Sequence, residues 1–410
     1  MTSPISPNPP SFRDPYGVGP VGTWLAPILA VIGLVLVGVV TFNLLNGDVP
    51  FGLGGGNGSG DGGPGRTATP SNLVVVPEGA EFDGSIVYAK DGNVWIQTRD
   101  EARQLTDSGH DAMPTWSTDG TFVYFIRTTR SEGQWPVKGR VEAYALDVPS
   151  LMRVLVDGGA APESIKDGGI TDGTNVYAFW IRQPALSPDG RTMAIISDAP
   201  NPDARTPVLQ LLDLATGTIT DPQLDTDGVL GHQDPAWSPD GKFLLYVRND
   251  RDGQRGAPVI MRYEVATGAA AALTSGGYLY PAYSPDGRFV TATRTSALGT
   301  DVVILDGSTG EELTRVTNDG ASWAPAWSPA GDGIAYLHLH GQTVDLRLAP
   351  LEGTAPTWTV GRTINLTEVS GLEPASRPGW FIPADQLPAT PAPTIEPAGG
   401  ESASPSVAPS

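Results

Sequence analysis

The stretch DPAWSPDGKFLLYVR, Asp234 to Arg248, reads as a tight turn feeding a strand. In Ser-Pro-Asp-Gly the proline presets φ, the Ser and Asp side chains accept nearby backbone N–H groups, and the glycine takes the left-handed position that closes the turn. Phe243 to Val247 is a short run of apolar and aromatic residues, the composition of a strand buried on both faces. The same fifteen-residue pattern returns as MPTWSTDGTFVYFIR from Met113, QPALSPDGRTMAIIS from Gln183, YPAYSPDGRFVTATR from Tyr280 and APAWSPAGDGIAYLH from Ala324. A decayed sixth copy, EPASRPGWFIP, starts at Glu373. Measured between Pro114, Pro184, Pro235, Pro281, Pro325 and Pro374, the spacings are 70, 51, 46, 44 and 49 residues, mostly the length of one four-stranded propeller blade.

Within each repeat a second signal follows the first. LDLATGT from Leu212, YEVATGA from Tyr263 and LDGSTGE from Leu305 place Thr-Gly at a hairpin tip. A Leu-Thr or Val-Thr pair (Leu105-Thr106, Leu273-Thr274, Val316-Thr317, Leu366-Thr367) then precedes the next copy. The segment from Gly84 to Thr106 has the late strands of a blade without its opening, and the copy at Glu373 has the opening without late strands. Joined, the two ends make one blade, so residues 81–383 are expected to form an all-β, six-bladed propeller with no free sheet edge across the closure. The long first spacing predicts an insertion around Asp157 to Thr174.

Outside the repeats the composition changes. Residues 1–23 are proline-rich and read as a disordered tail. WLAPILAVIGLVLVGVVTF, Trp24 to Phe42, is nineteen residues without a charge, and with Leu44 and Leu45 it predicts a single transmembrane helix over 24–45. It lacks the basic leader and small-residue cleavage site of a signal peptide. Residues 47 to 65 contain ten glycines, so 46–80 reads as a flexible linker with a reach of roughly 30 Å. Residues 384–410 form a Pro/Ala/Ser tail expected to be disordered.

The Pro-Ala-Trp-Ser-Pro-Asp-Gly copies with their Leu-Thr tracts resemble the WD40-like repeats of TolB-type β-propellers. The resemblance covers about residues 81 to 383 and is specific for fold. What it implies about function is broader, because such blades occur in periplasmic scaffolds, in the propeller halves of prolyl-peptidase-like enzymes and in some polysaccharide lyases. The small α/β domain that precedes the propeller in TolB has no counterpart, and the apolar stretch and glycine run stand in its place.

Charge and composition narrow the partners. With 25 Lys+Arg against 45 Asp+Glu the formal charge is −20, unsuited to nucleic acid or an anionic surface. The chain has no cysteine, which removes disulfides, thiolate metal sites and a Cys nucleophile. No G-x-S-x-G elbow occurs, against a propeller-type serine peptidase. Only four histidines are present; His338 and His340 share a strand face without a third ligand, and the acidic loops near Asp225 and Asp252 lack EF-hand spacing, so no metal and no cofactor is expected. The loops before each motif proline should emerge together around the central funnel. They carry His110, Asp111, Arg182, His232, Asp234, Tyr280, Trp323 and Glu373, a mix of charged and aromatic groups suited to binding. Trp116, Trp237, Tyr283 and Trp327, inside the motif, are expected to pack the core. These features predict a membrane-anchored, extracytoplasmic, non-enzymatic scaffold that binds an envelope protein or peptide. The alternative is a carbohydrate-active or carbohydrate-sensing propeller using His110, His232 and Arg182 on a glycan.

Overall fold

The computed structural model describes residues 73–74, 81–200, 206–226, 231–249, 258–367 and 370–387. The expected tail, transmembrane helix and most of the linker and C-terminal tail lie outside them. Among the described residues no helix is long and apolar enough to cross a membrane.

Each motif turn forms as its chemistry dictates. Ser238 Oγ donates to Asp240 Oδ1 at 2.7 Å, the Lys242 N–H donates to the same oxygen at 3.1 Å, and the Phe243 N–H donates to Ser238 Oγ at 2.9 Å. Gly241 closes the turn at φ 70°. Phe243–Arg248 then runs buried on both faces through its middle four residues. It pairs on one side with the motif strand His232–Trp237 and on the other with Val259–Glu264, which pairs in turn with Ala270–Ala272. Arg182–Leu186 and Tyr278–Tyr283 open four-stranded sheets of the same order, and Ser322–Trp327 opens another with an additional edge pairing.

Six such sheets form the propeller. The closure predicted from the two ends is present: Gly379–Phe381 pairs antiparallel with Ser85–Lys90, so the C-terminal strand is the innermost strand of the first blade. Six hydrophobic clusters, one between each pair of neighbouring blades, complete the ring; the closing one joins Ile86, Tyr88 and Trp95 to Leu337, Leu346 and Leu348. The Leu-Thr tract has a defined role. Thr106, Thr274, Thr317 and Thr367 accept, on Oγ1, the backbone N–H of Val94, Ile260, Val302 and Leu346 at 2.9 to 3.1 Å.

Two details differ from the sequence reading. The sixth copy is shifted: Gly379 pairs with Val87 as Ala185 pairs with Ala194, so Pro378, not Pro374, takes the motif proline's place. The motif proline there is displaced by four residues, from Pro374 to Pro378. The insertion is also relocated, because Glu163–Asp167 pairs with Arg140–Leu155 as the second blade's regular outer strand. The excess length is in the extended hairpin of Phe122–Val137 with Arg140–Leu155, and in the hairpin of Gly169–Asp172 with Asn175–Ala178 that leans on it.

Candidate functional site: the central channel

The innermost strands line the channel, and five of them are kinked at the same place. Met113, Gln183, Asp234, Tyr280 and Ala324, each immediately before the motif proline, hold φ between 49° and 56°. Such a conformation is costly for a non-glycine residue, the more so before proline, and it coincides in every case with a break in strand register. The extra residue at each bulge frees a backbone N–H from the ladder. That donor is received by a side chain from elsewhere in the ring: Met113 N–H by Ser376 Oγ at 2.6 Å, Gln183 N–H by Met113 Sδ at 3.2 Å, and Asp234 N–H by Gln183 Oε1 at 3.1 Å. Tyr280 N–H goes to Asp234 Oδ2 at 3.1 Å, and Ala324 N–H to Thr293 Oγ1 at 3.0 Å. The bulges are thus linked blade to blade around the channel.

The sixth position, after the register correction, is Arg377. Its Nη1 donates to the Pro281 carbonyl at 2.8 Å, and its guanidinium lies 5.8 Å from the centre of the Tyr280 ring. Pro281 belongs to the fifth blade, so the side chain reaches past the sixth, which offers only the methyl group of Ala324 at this level. Asp234 is the carboxylate of the group. Gln183 Nε2 donates to its Oδ1 at 2.6 Å, and burial pushes its pKa up against the pull of Arg377 and Arg182. Burial equally lowers both arginines, which nevertheless keep their charge. Burial raises the Tyr280 hydroxyl as well. Gln183, Asp234, Tyr280 and Arg377 border a cavity of about 550 Å3 that opens at the turn end of the channel, where Pro188, Pro239, Pro285 and Pro329 join Trp237 and Tyr283, and Arg182 lies behind it within electrostatic reach of Asp234.

Of the residues expected at the funnel, Arg182, Asp234 and Tyr280 come together here. Asp111 does not: its buried carboxylate is clasped by Arg127, Nε at 2.7 Å and Nη2 at 2.8 Å. His232 is fully buried, its Nδ1 accepting from Leu209 N–H at 3.1 Å and its Nε2 donating to the Asp225 carbonyl at 3.0 Å, with its ring against Tyr246. Burial lowers its pKa, which suits that neutral tautomer. His110 is exposed. Trp323 donates from Nε1 to the Pro374 carbonyl at 2.9 Å, and Glu373 is held by its backbone N–H on Ala89. These eight residues sit at different distances from their prolines. Strand alternation sends most of them to other sides, and the residue directly before the proline is turned inward by the bulge, so Gln183 and Met113 were missed. Arg377 and Ser376 were missed with the register of the sixth copy.

The motif aromatics are partly as expected. Trp327 is buried, and Trp116, Trp237 and Tyr283 are half-buried and packed against the inter-blade clusters, with Trp237, Tyr283 and Trp327 also bordering the cavity. Trp116, Trp237 and Trp327 each donate from Nε1 to a carbonyl of the preceding blade, at Gly379, Ala185 and Ala282, at 3.0 to 3.1 Å. His338 is a local partner of Ser322 and Asp319, and His340 is exposed. Among the described residues no three His, Cys, Asp or Glu side chains are grouped to hold a metal ion.

Neither a protein-family model nor a curated protein matches the sequence. Among solved structures, TolB from Acinetobacter baumannii superposes with a TM-score of 0.51 at 21% identity over 72% of this chain and 66% of that one. The fold is that of a TolB-like six-bladed β-propeller. A putative TolB from Agrobacterium tumefaciens gives 0.48 at 19% identity over 73% and 94% of the two chains. An oligogalacturonate lyase from Vibrio parahaemolyticus gives 0.41 at 13% over 68% and 98%. The match spans less than two thirds of the Acinetobacter chain, and at this identity the likeness shows the architecture of the TolB-like propeller alone.

Proposed function

We propose that the chain is a membrane-tethered scaffold of the cell envelope whose TolB-like propeller docks a protein or peptide at the turn end of its channel, outside the cytoplasm. The observation that carries this reading is the cavity itself. Its volume of about 550 Å3 lies in the range that holds small ligands or several side chains, and its proline and aromatic wall surrounds a few convergent polar groups. The uncharged stretch from Trp24 and the glycine-rich segment after it supply an anchor and a tether. The carbohydrate reading asks His110, His232 and Arg182 to meet one glycan. The sealed, doubly hydrogen-bonded His232 does not favour it.

Site-specific photo-crosslinking in native membranes tests the docking site. A benzophenone side chain at Leu387, beside the cavity, is expected to give a discrete protein adduct, and one at Ala271 on the outer strand of the fourth blade is not. No adduct from position 387, or the same adducts from both, would remove the proposal. The side of the membrane is read from a cysteine placed in the glycine-rich segment and an impermeant thiol reagent, with no native cysteine competing.

A further inference from the structure

The channel holds its charges unevenly. Asp234, the carboxylate beside Arg377, takes its hydrogen bonds from neutral donors, Gln183 Nε2 and the Tyr280 N–H. It is shared electrostatically between Arg377 and Arg182, and Arg182 also faces Asp198. Among the described residues the titratable neighbours of Arg377 are Asp234 and Tyr280. Of its guanidinium donors one is taken, by the Pro281 carbonyl, and the others make no hydrogen bond among the described residues while remaining open to the cavity that Arg377 lines. The Tyr280 ring and the Pro281 bond hold the guanidinium in place, so a ligand meets an ordered fork instead of a flexible side chain.

The rest of the cavity has the opposite character. Asp234 and Arg377 are its charged lining residues among those described, and around them stand Pro188, Pro239, Pro285 and Pro329 with Trp237, Tyr283 and Trp327.

We propose that Arg377 is the recognition residue of the channel, taking a single carboxylate from a partner peptide whose flanking residues are apolar. An isolated acidic side chain satisfies the open fork and its apolar neighbours cover the proline and aromatic wall, whereas further carboxylates would be desolvated against that uncharged wall and repelled by Asp234. A peptide fits this arrangement better than a uronate polymer, which repeats its charge at every sugar and has no apolar side chains for the wall. The inference rests on the docking site proposed above and adds the chemistry of its ligand.

Fluorescence polarisation on the full chain in detergent tests it with four labelled probes. These are an amidated heptapeptide Gly-Ala-Leu-Glu-Leu-Ala-Gly, its Gln counterpart, a version with three consecutive Glu, and a trigalacturonate. The single-Glu peptide is expected to bind about tenfold or more tighter than the Gln peptide and tighter than the triple-Glu peptide. Arg377→Gln should abolish the preference and Arg377→Lys retain part of it. Since Arg377→Gln alone leaves Asp234 buried beside no neighbouring guanidinium but Arg182, the double variant Arg377→Gln with Asp234→Asn removes both charges and supplies a variant whose folding is not burdened by that carboxylate. Asp234→Asn alone should tighten the single-Glu peptide, because it removes the competing anion. Equal binding of the Glu and Gln peptides, no saturable binding of either, or discrimination that survives in the double variant overturns the proposal; tighter binding of trigalacturonate overturns its peptide class. Crosslinked partners with no Glu preference would defeat this inference and leave the docking site standing. A Glu preference lost with Arg377, without crosslinked partners, would do the reverse.

Discussion

The four threonines of the Leu-Thr tract offer a test of what the repeat stabilises. Each is at most 8% exposed, and each hydroxyl receives a strand N–H one residue beyond the last pair with the outer strand. Thr→Val keeps the shape and deletes the acceptor, leaving the N–H of Val94, Ile260, Val302 or Leu346 buried without it, a loss of about 1–3 kcal/mol that the extra buried methyl only partly offsets. The four sites are not equal. The Thr317 hydroxyl also donates to Asp301 at 3.3 Å and the Thr367 hydroxyl to Asp345 at 3.4 Å, so their substitution breaks a contact with a carboxylate as well. Thr106→Val and Thr274→Val are expected near 1–1.5 kcal/mol and Thr317→Val and Thr367→Val near ~2–3 kcal/mol. Thr→Ser retains the acceptor and loses one methyl, about 0.8 kcal/mol. Urea denaturation of the full chain in detergent, followed by tryptophan fluorescence, measures the midpoints at a common slope. The sites are in different blades with no shared partner, so a Thr106/Thr317 double variant should show the sum of its singles. If Val is tolerated as well as Ser at all four sites, the hydrogen bond is not what the tract contributes and the reasoning fails.

Trp380 donates to the Asp83 carbonyl at 2.9 Å and packs edge-on against Phe82, with Phe381 beside Trp116, so Trp380→Ala should weaken ring closure by about 3 kcal/mol. Limited proteolysis is expected to cut first on either side of the terminal blade, and a cleavage pattern like that of the parent chain would count against it. His232 titrates below its ordinary value in the fold because burial opposes its charge, so below about pH 6.5 the unfolded chain binds the extra proton and the folded chain does not. Its share of stability is complete above that pH and falls as the solution is acidified toward the lowered folded value, by at most about 1.4 kcal/mol per pH unit. His232→Gln should flatten the stability-versus-pH curve between pH 7 and 5, and an unchanged slope would refute the assignment.

Much of the architecture was legible because the information is local. A turn such as Ser238 to Gly241 is specified by four consecutive side chains, and Phe243 to Val247 declares a strand buried on both sides wherever it is placed. Repetition of that unit predicted the number of blades, and the unequal ends predicted that Gly379–Phe381 would pair with Ser85–Lys90. The binding groups were less legible because they depend on a one-residue choice. A bulge turns the side chain before the proline inward while its neighbours, Asp111 and Trp323 among them, follow the strand to other partners. His232 illustrates the same limit, since its surroundings come from Leu209, Asp225 and Tyr246 on other segments.

The sequence by itself determined the strands, the turns, the six-fold repetition and the joining of the two ends, all of which follow from residues near one another in the chain and from the need to leave no sheet edge unpaired. The tertiary structure decided what faces the axis. Met113, Gln183, Asp234, Tyr280 and Arg377 are tens to hundreds of residues apart, and they meet because the ring brings equivalent positions of different blades to one centre. There Ala324 leaves room for Arg377 to cross to Pro281, and the four-residue displacement of the motif proline to Pro378 sets the register that puts it in place.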